Sequence, residues 1–138
     1  MTDRSWHFID MPTITDPRGD LTFMEGNAQV PFDIARVYYV YNMPVDAERG
    51  GHAHTDLEQV IFAISGSYRI VVDDGTRRET FWLRNPRQGL YIGRMVWRVM
   101  DSFSQGAVYM TLASRPYEEA DYHRDYDGFR AALRHRSP

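Results

Sequence analysis

Residues 59–75 read QVIFAISGSYRIVVDDG, and this stretch predicts two neighbouring β-strands. The first, over 59–64, is a nearly continuous apolar run that ends at Ser65-Gly66, and the second, over 68–72, is rich in β-branched residues. The Asp73-Asp74-Gly75 segment that follows is a strong hairpin signal, because Asp-Gly pairs adopt the tight turns that connect antiparallel strands. The segment therefore indicates an all-β fold.

Short strand-like segments separated by turns continue on both sides of this stretch. The sequence Asp16-Pro17-Arg18-Gly19, for example, is a turn between two of them. Strands that alternate with turns about every 8–12 residues are typical of a sandwich or a barrel. The further predicted strands are 6–9, 21–24, 36–41, 79–83, 89–92, 96–100 and 107–113.

The tail of the chain has a different pattern, which favours a helix over residues 117–134. Tyr122, Tyr126 and Phe129 recur at spacings of four and three, as on one face of a helix. Acidic residues at 118, 119 and 121 suit the start of a helix, where its dipole favours negative charge. We expect a single domain over 1–138, with a barrel over about 1–115 and a short C-terminal helix.

Composition excludes several classes of function. The 138 residues include no Cys, which removes disulfides, thiolate nucleophiles and cysteine metal sites. All sixteen basic residues are Arg, so a lysine Schiff base is impossible. A net charge of −3 offers no basic field for nucleic acid. There is no apolar run long enough for a membrane span and no signal-peptide pattern, and we therefore expect a cytoplasmic protein.

The sequence RGGHAH over residues 49–54 carries the clearest chemical signal. Residues two apart in a strand share a face, so His52 and His54 should enter the barrel side by side. Gly50 and Gly51 allow a tight turn into the strand or the close approach of a ligand. Two imidazoles in a barrel mouth can hold a metal or move protons. The alternative is a pair of solvated histidines in a loop.

This His-x-His pattern, with Glu58 four residues after the second His and a later Gly66, resembles the first cupin motif. Metal-binding cupins add a histidine from a later strand. Here that place holds Val96-Trp97-Arg98, and Arg does not bind metals. A weak metal site of His52, His54 and Glu58 remains an alternative. Metal-free acid/base chemistry is the interpretation that the sequence favours.

The resemblance becomes more specific over residues 16–129. RVYYVYNMP, RGGHAH, LEQVIFAISGSYRIVVDDG, NPRQGLYIG, VWRVM, FSQGAVYMTLAS and DYHRDYDGF occur in the order found in nucleotide-linked sugar 3,4-ketoisomerases. This likeness implies a cupin jelly-roll barrel that acts as a homodimer on a dTDP-linked 4-keto-6-deoxyhexose, without metal or cofactor, in deoxysugar biosynthesis. The family's histidine pair corresponds to His52 and His54. Its active-site tyrosine corresponds to Tyr38 or Tyr39, and alternation with Arg36 favours Tyr38.

From this resemblance we assign roles as expectations. His52 is the preferred base at C3 of the sugar, while His54 and Tyr38 act as donors or shuttles for the oxygens. Histidine suits the task because its ordinary pKa of about 6.5 lies near working pH. The expected substrate-binding residues are Arg18, Arg49, Arg98, Tyr39, Gln59 and Trp97. For each Arg a solvated surface position is the alternative, and for Trp97 core packing is the alternative.

Two other functions remain open at this point. One is a 3,5-epimerase that acts on the same class of sugar nucleotide. The other is a cupin that binds a metal or a ligand without turnover. The sequence does not decide the stereochemistry at C4 of an isomerase product.

Overall fold

The computed structural model describes residues 5–135 and confirms the predicted all-β fold. Within these residues the chain forms twelve strands, one 3₁₀ turn and one α-helix. They are β1 (Trp6–Asp10), β2 (Thr13–Asp16), β3 (Gly19–Thr22), β4 (Arg36–Val40), β5 (Arg49–His54), β6 (Gln59–Ser65), β7 (Tyr68–Asp73), β8 (Arg78–Leu83), β9 (Gln88–Ile92), β10 (Trp97–Asp101), β11 (Val108–Ala113), the 3₁₀ turn (Glu119–Asp121), β12 (Tyr122–His123) and α1 (Tyr126–Arg134).

Two five-stranded antiparallel sheets face each other. The first has the order β1-β9-β6-β11-β4, and the second has the order β12-β5-β10-β7-β8. β2 and β3 form a separate hairpin. Along β7 and β8 more buried residues alternate with less buried ones, as the pleat requires when one face is buried.

The main core lies between the two sheets. Ile61 and Leu90 from the first sheet pack with Ile70, Val72 and Met100 from the second. The outer face of the first sheet is covered by residues 11–34, since Val30 and Phe32 of that segment pack on it. The outer face of the second sheet is partly covered by α1, whose Phe129 is fully buried. No helix in the described range is long and apolar enough to cross a membrane.

The predicted helix over 117–134 is wrong in its first half. Tyr122–His123 forms β12 and pairs with His54 and Ala53 of β5. The helix begins only at Tyr126, where the Asp125 side chain accepts a hydrogen bond from the Gly128 N–H at 2.8 Å. Asp is among the strongest N-cap residues, so it starts the helix at this point. Tyr122 therefore belongs to a sheet edge and not to the face of a helix.

The predicted strands agree with the observed ones to within about two residues, apart from the first hairpin. Thr13–Asp16 was missed, and the strand predicted over 21–24 begins earlier, at Gly19. These two strands have four residues each and lack a buried apolar face, so their sequence carries little hydrophobic alternation.

Candidate active site

A cavity of about 450 Å³ opens between the two sheets, and residues of β4 and β6 from the first sheet and of β5 and β10 from the second line it. Its volume lies in the range of sites for small molecules and cofactors. Five of the predicted site residues line it: Tyr38, Arg49, His52, Gln59 and Arg98. The structure thus brings together side chains that are up to sixty residues apart in the chain.

The two histidines lie side by side in the barrel, as predicted. Their ring centroids are 4.8 Å apart and the rings meet edge to face. His52 is on the cavity wall, whereas His54 is fully buried behind it. The Tyr122 ring lies 4.3 Å from the His54 ring and 5.1 Å from the His52 ring. The alternative of two solvated histidines in a loop is therefore wrong.

A bulge in β5 sets the position of His52. Arg98 of β10 pairs with His52, but the next residue, Val99, pairs with Gly50, so Gly51 is an extra residue. Gly50 has a φ of +83°, and a Cβ there would lie 2.9 Å from the Arg98 carbonyl oxygen. Only glycine fits this conformation and this approach without strain. The bulge therefore sets His52 and Arg98 opposite each other.

Both imidazoles are unprotonated at neutral pH. Burial, followed by the charge of Arg98, lowers the pKa of His52 to about 3 and that of His54 to about 2. The carbonyl of Gly50 accepts a hydrogen bond from the His52 ring, which opposes this shift only in part. Both pKa values thus lie well below the ordinary histidine value of about 6.5 from which the sequence analysis started. The low pKa values keep both rings in the form that can accept a proton.

Arg98 is an uncommon buried cation, with 1% of its surface exposed. Its Nη1–H donates to Oε1 of Gln59 at 2.5 Å, and its Nε–H and Nη2–H donate to the Val96 carbonyl at 3.2 and 3.1 Å. Nε2 of Gln59 donates in turn to the Tyr38 hydroxyl at 3.3 Å. Although burial lowers the pKa of Arg98 to about 10, it stays protonated at neutral pH. A positive charge is thus fixed beside the histidines.

Further cationic and aromatic groups surround the cavity. Arg36 lies over the Tyr38 ring at 5.4 Å, and Arg124 lies over the Tyr122 ring at 4.2 Å. With Arg49 and Arg98, four Arg side chains line the cavity against one acidic side chain, Glu48, so the cavity is positively charged. Sequence analysis did not assign Arg36, Tyr122 or Arg124 to the site. The alternation of Arg36 with Tyr38 on β4 was a usable signal for the first, but the tail offered no such signal for the others.

Three predicted ligand-binding residues, Arg18, Tyr39 and Trp97, do not line this cavity within the chain. Arg18 is 90% exposed at the hairpin turn, where it pairs with Asp16 at 2.7 Å. Tyr39 is 63% exposed, because it follows the inward-facing Tyr38 and points to the opposite face of β4. Trp97 precedes the inward-facing Arg98 and packs instead against Phe129 of α1, with ring centroids 5.7 Å apart.

The structure does not assemble the alternative metal site of His52, His54 and Glu58. Glu58 accepts a hydrogen bond from the Tyr91 hydroxyl at 2.5 Å, and its other oxygen lies 3.2 Å from Nη2 of Arg94. Both contacts are outside the cavity, because the neighbouring Gln59 points inward. Among residues 5–135, no three His, Asp or Glu side chains converge closely enough to hold a metal ion.

Comparison with known proteins identifies a family to which the chain belongs and a relative to which it is similar. The family model described as FdtA: WxcM-like, C-terminal matches residues 4–134. The TDP-4-oxo-6-deoxy-alpha-D-glucose-3,4-oxoisomerase of Aneurinibacillus thermoaerophilus is 44% identical over 122 residues, which is 88% of each chain.

Solved structures agree with this relationship. A histidine-to-asparagine variant of the 3,4-ketoisomerase QdtA from Thermoanaerobacterium thermosaccharolyticum, in complex with TDP-4-keto-6-deoxyglucose, matches with a TM-score of 0.93. It is 38% identical, over 98% of each chain. The rmlC epimerase of Mycobacterium tuberculosis is only 18% identical, with a TM-score of 0.74 over 86% of this chain and 68% of that chain. The second likeness shows a shared fold alone.

The lowered histidine pKa values predict a loss of stability in acid. Below about pH 6.5 the unfolded chain takes up protons on both histidines, while the folded chain does not, so the free energy of unfolding falls as the pH drops. Each histidine should contribute about 2 kcal/mol of this loss between pH 7.5 and pH 5. Urea unfolding at the two pH values, followed by tryptophan fluorescence, measures it.

A pair of variants tests the source of this pH dependence. His54→Gln should remove about half of it, whereas His135→Gln, which deletes an exposed imidazole, should leave it as in the wild type. An undiminished acid loss in the His54→Gln protein would contradict the assignment.

Proposed function

The chain belongs to the FdtA, WxcM-like, C-terminal family and is a sugar-nucleotide 3,4-ketoisomerase, and on this premise we propose that His52, Tyr38 and Arg98 carry the reaction. The substrate is a dTDP-linked 4-keto-6-deoxyhexose, and the product is its 3-keto isomer. The observation that best supports these roles is an unprotonated imidazole on a cavity wall, opposite a buried guanidinium.

The first step is removal of the proton on C3. The keto group at C4 acidifies this proton, and His52 accepts it because its ring is neutral. The electron pair left on C3 moves into the C3–C4 bond, and the carbonyl oxygen on C4 becomes an enediolate oxygen. No electrons leave the sugar, so the step is redox-neutral.

The developing negative charge needs fixed donors. The contacts of Arg98 with Gln59 and Val96 use three of its five N–H groups, so two remain for a substrate oxygen among the described contacts. The Tyr38 hydroxyl accepts from Gln59, which leaves its own proton free for donation. Preorganised donors of this kind stabilise an oxyanion most strongly when water is excluded, as it is around Arg98.

The second half of the reaction reverses these movements on the neighbouring carbon. C4 receives a proton as the C3–C4 double bond gives up its electron pair, the hydroxyl on C3 passes its proton to the enediolate oxygen on C4, and the carbonyl forms at C3. The protonated His52 can supply the proton to C4. Tyr38, linked to Gln59, is the proposed shuttle for the oxygen-bound protons.

Arg36, Arg49 and Arg124 are the proposed partners of the substrate's diphosphate. All three line the cavity, and one guanidinium group can donate two parallel hydrogen bonds to two phosphate oxygens. Glu119 holds Arg124 through contacts of 2.6 and 2.9 Å, which keeps the guanidinium at the mouth of the cavity.

We also propose that the chain acts as a homodimer. Val37 and Tyr39 are more than half exposed on β4, and Tyr41 is equally exposed just beyond it; this strand is an open edge of the first sheet. The hairpin of β2 and β3 exposes Ile14 and Leu21, and a two-stranded hairpin is marginally stable unless it packs against something. A second copy would cover this apolar edge.

Isotope labelling tests the proposed reaction. Incubation with dTDP-4-keto-6-deoxyglucose in deuterated buffer should move the keto group to C3 and place deuterium on C4, because the base exchanges its proton with solvent. Proton and carbon NMR of the sugar measure both changes.

The position of the label separates this reaction from the alternatives. Deuterium at C3 and C5, with the keto group still on C4, would identify a 3,5-epimerase. An unchanged sugar would support the cupin that binds a ligand without turnover. Either result would overturn the isomerase.

The base role of His52 predicts a large effect on kcat. His52→Asn should lower kcat about 10³-fold, within the range that a general base contributes, while KM changes only a few-fold. His135→Asn is the control, because its imidazole is exposed and does not line the cavity. Steady-state assays of product formation by NMR or chromatography give both constants. A His52→Asn enzyme with near wild-type kcat would refute the role.

The proposed dimer predicts that charge on the apolar edge causes dissociation. Tyr39→Arg should shift the sedimentation coefficient from that of a dimer to that of a 16.1 kDa monomer. Trp82→Arg is the control, since Trp82 is an exposed aromatic residue, 49% accessible, on the opposite edge strand β8. Monomeric wild-type protein, or dissociation by both variants, would contradict this interface.

A further inference from the structure

Asp121 is a buried carboxylate that none of the reaction steps above uses. It is 8% exposed and ends the 3₁₀ turn just before β12. Its Oδ1 accepts a hydrogen bond from the Asp56 N–H at 2.8 Å, and its Oδ2 accepts one from the Leu57 N–H at 3.2 Å. Its backbone carbonyl accepts from the Thr55 N–H at 3.0 Å. Asp121 therefore fixes the chain immediately after β5.

The same carboxylate faces the buried histidine. Oδ2 of Asp121 lies 3.4 Å from Nδ1 of His54, whose side chain has no exposed surface. Neither ring nitrogen of His54 has a hydrogen-bond partner among residues 5–135. A buried polar atom without a partner is costly, and a shift of a few tenths of an ångström would give Nδ1 one in Asp121.

The charge on Asp121 determines which nitrogen of His54 carries the proton. A neutral imidazole has one N–H and one lone pair, and the partner of one nitrogen decides the tautomer. An ionised carboxylate only accepts hydrogen bonds, so Nδ1 must be the donor and Nε2 the unprotonated nitrogen. The His54 ring then packs edge to face on His52 in a fixed orientation.

We propose that Asp121 is a positioning residue of the isomerase, which holds His54 as the Nδ1–H tautomer and through it orients the His52 ring towards the sugar. This inference rests on the proposed function of His52. When His52 takes the proton from C3, it becomes a cation close to the buried Arg98. The carboxylate of Asp121, one ring further away, offsets part of that repulsion.

Asp121→Asn tests this role, because the side chain keeps its shape and one carbonyl oxygen for the Asp56 N–H. The new amide N–H would donate to Nδ1 of His54 and impose the Nε2–H tautomer. We expect kcat to fall roughly 10²-fold or more, as when a carboxylate that orients a catalytic histidine becomes an amide, with KM changed less than about threefold. A purely structural clamp would lower the melting temperature without this kcat-specific loss.

Asp56→Asn is the matched control, since its carboxylate is adjacent in the chain but pairs with Arg115 at 3.0 Å and does not contact His54. It should keep the wild-type kcat. Nitrogen-15 NMR of the imidazole rings provides a readout that is independent of turnover: the His54 shifts should indicate Nδ1–H in the wild type and Nε2–H in Asp121→Asn.

The outcomes separate the two proposals. An Nε2–H tautomer in the wild type, or an Asp121→Asn enzyme with wild-type kcat, would overturn the role of Asp121. If the wild type does not convert the sugar nucleotide, the proposed function fails, while the tautomer measurement still decides whether Asp121 controls His54. The wild-type spectrum also decides this point if Asp121→Asn fails to fold.

Discussion

The enclosure of a permanently charged guanidinium beside two imidazoles is the constraint on which this site depends. Arg98 has almost no contact with water, and its hydrogen bonds go to neutral oxygens of Gln59 and Val96 rather than to a carboxylate. Burial, and after it the positive charge of Arg98, lowers the pKa of both histidines, so His52 and His54 remain neutral. The same charge is available to an oxyanion. Arg98 thus contributes both to the neutral state of the histidines and to the stabilisation of the oxyanion.

The geometry of the strands determines which side chains face the cavity. Alternation along β10 turns Arg98 inward and Trp97 outward to the helix, and alternation along β4 separates Tyr38 from Tyr39 in the same way. Alternation alone does not align β5 with β10, because the bulge at Gly51 adds a residue. The glycines before the histidines therefore control which side chain faces Arg98.

Sequence reasoning was strongest where local pattern decides the structure. The strands around 59–75 and the paired histidines follow from apolar runs and from a period of two, and both were predicted. The wall formed by Tyr122 and Arg124 was not predicted, because spacings of four and three imitate a helix and the pairing of β12 with β5 is a long-range contact. The histidine pKa values were also missed, since they depend on burial and on a charge that lies 44 to 46 residues away in the chain.

β12 and the turn before it come after the rest of the barrel, yet they close the site over the histidines. β12 is an edge strand that pairs with β5, so the other strand pairs do not include this segment. A chain in which residues 119–124 had detached would therefore keep its other strand pairs but would admit water to His54. Its imidazoles would then regain much of their ordinary basicity and accept protons from solvent at mildly acidic pH. By keeping water away from the two histidines, residues 119–124 thus determine how basic their imidazoles are.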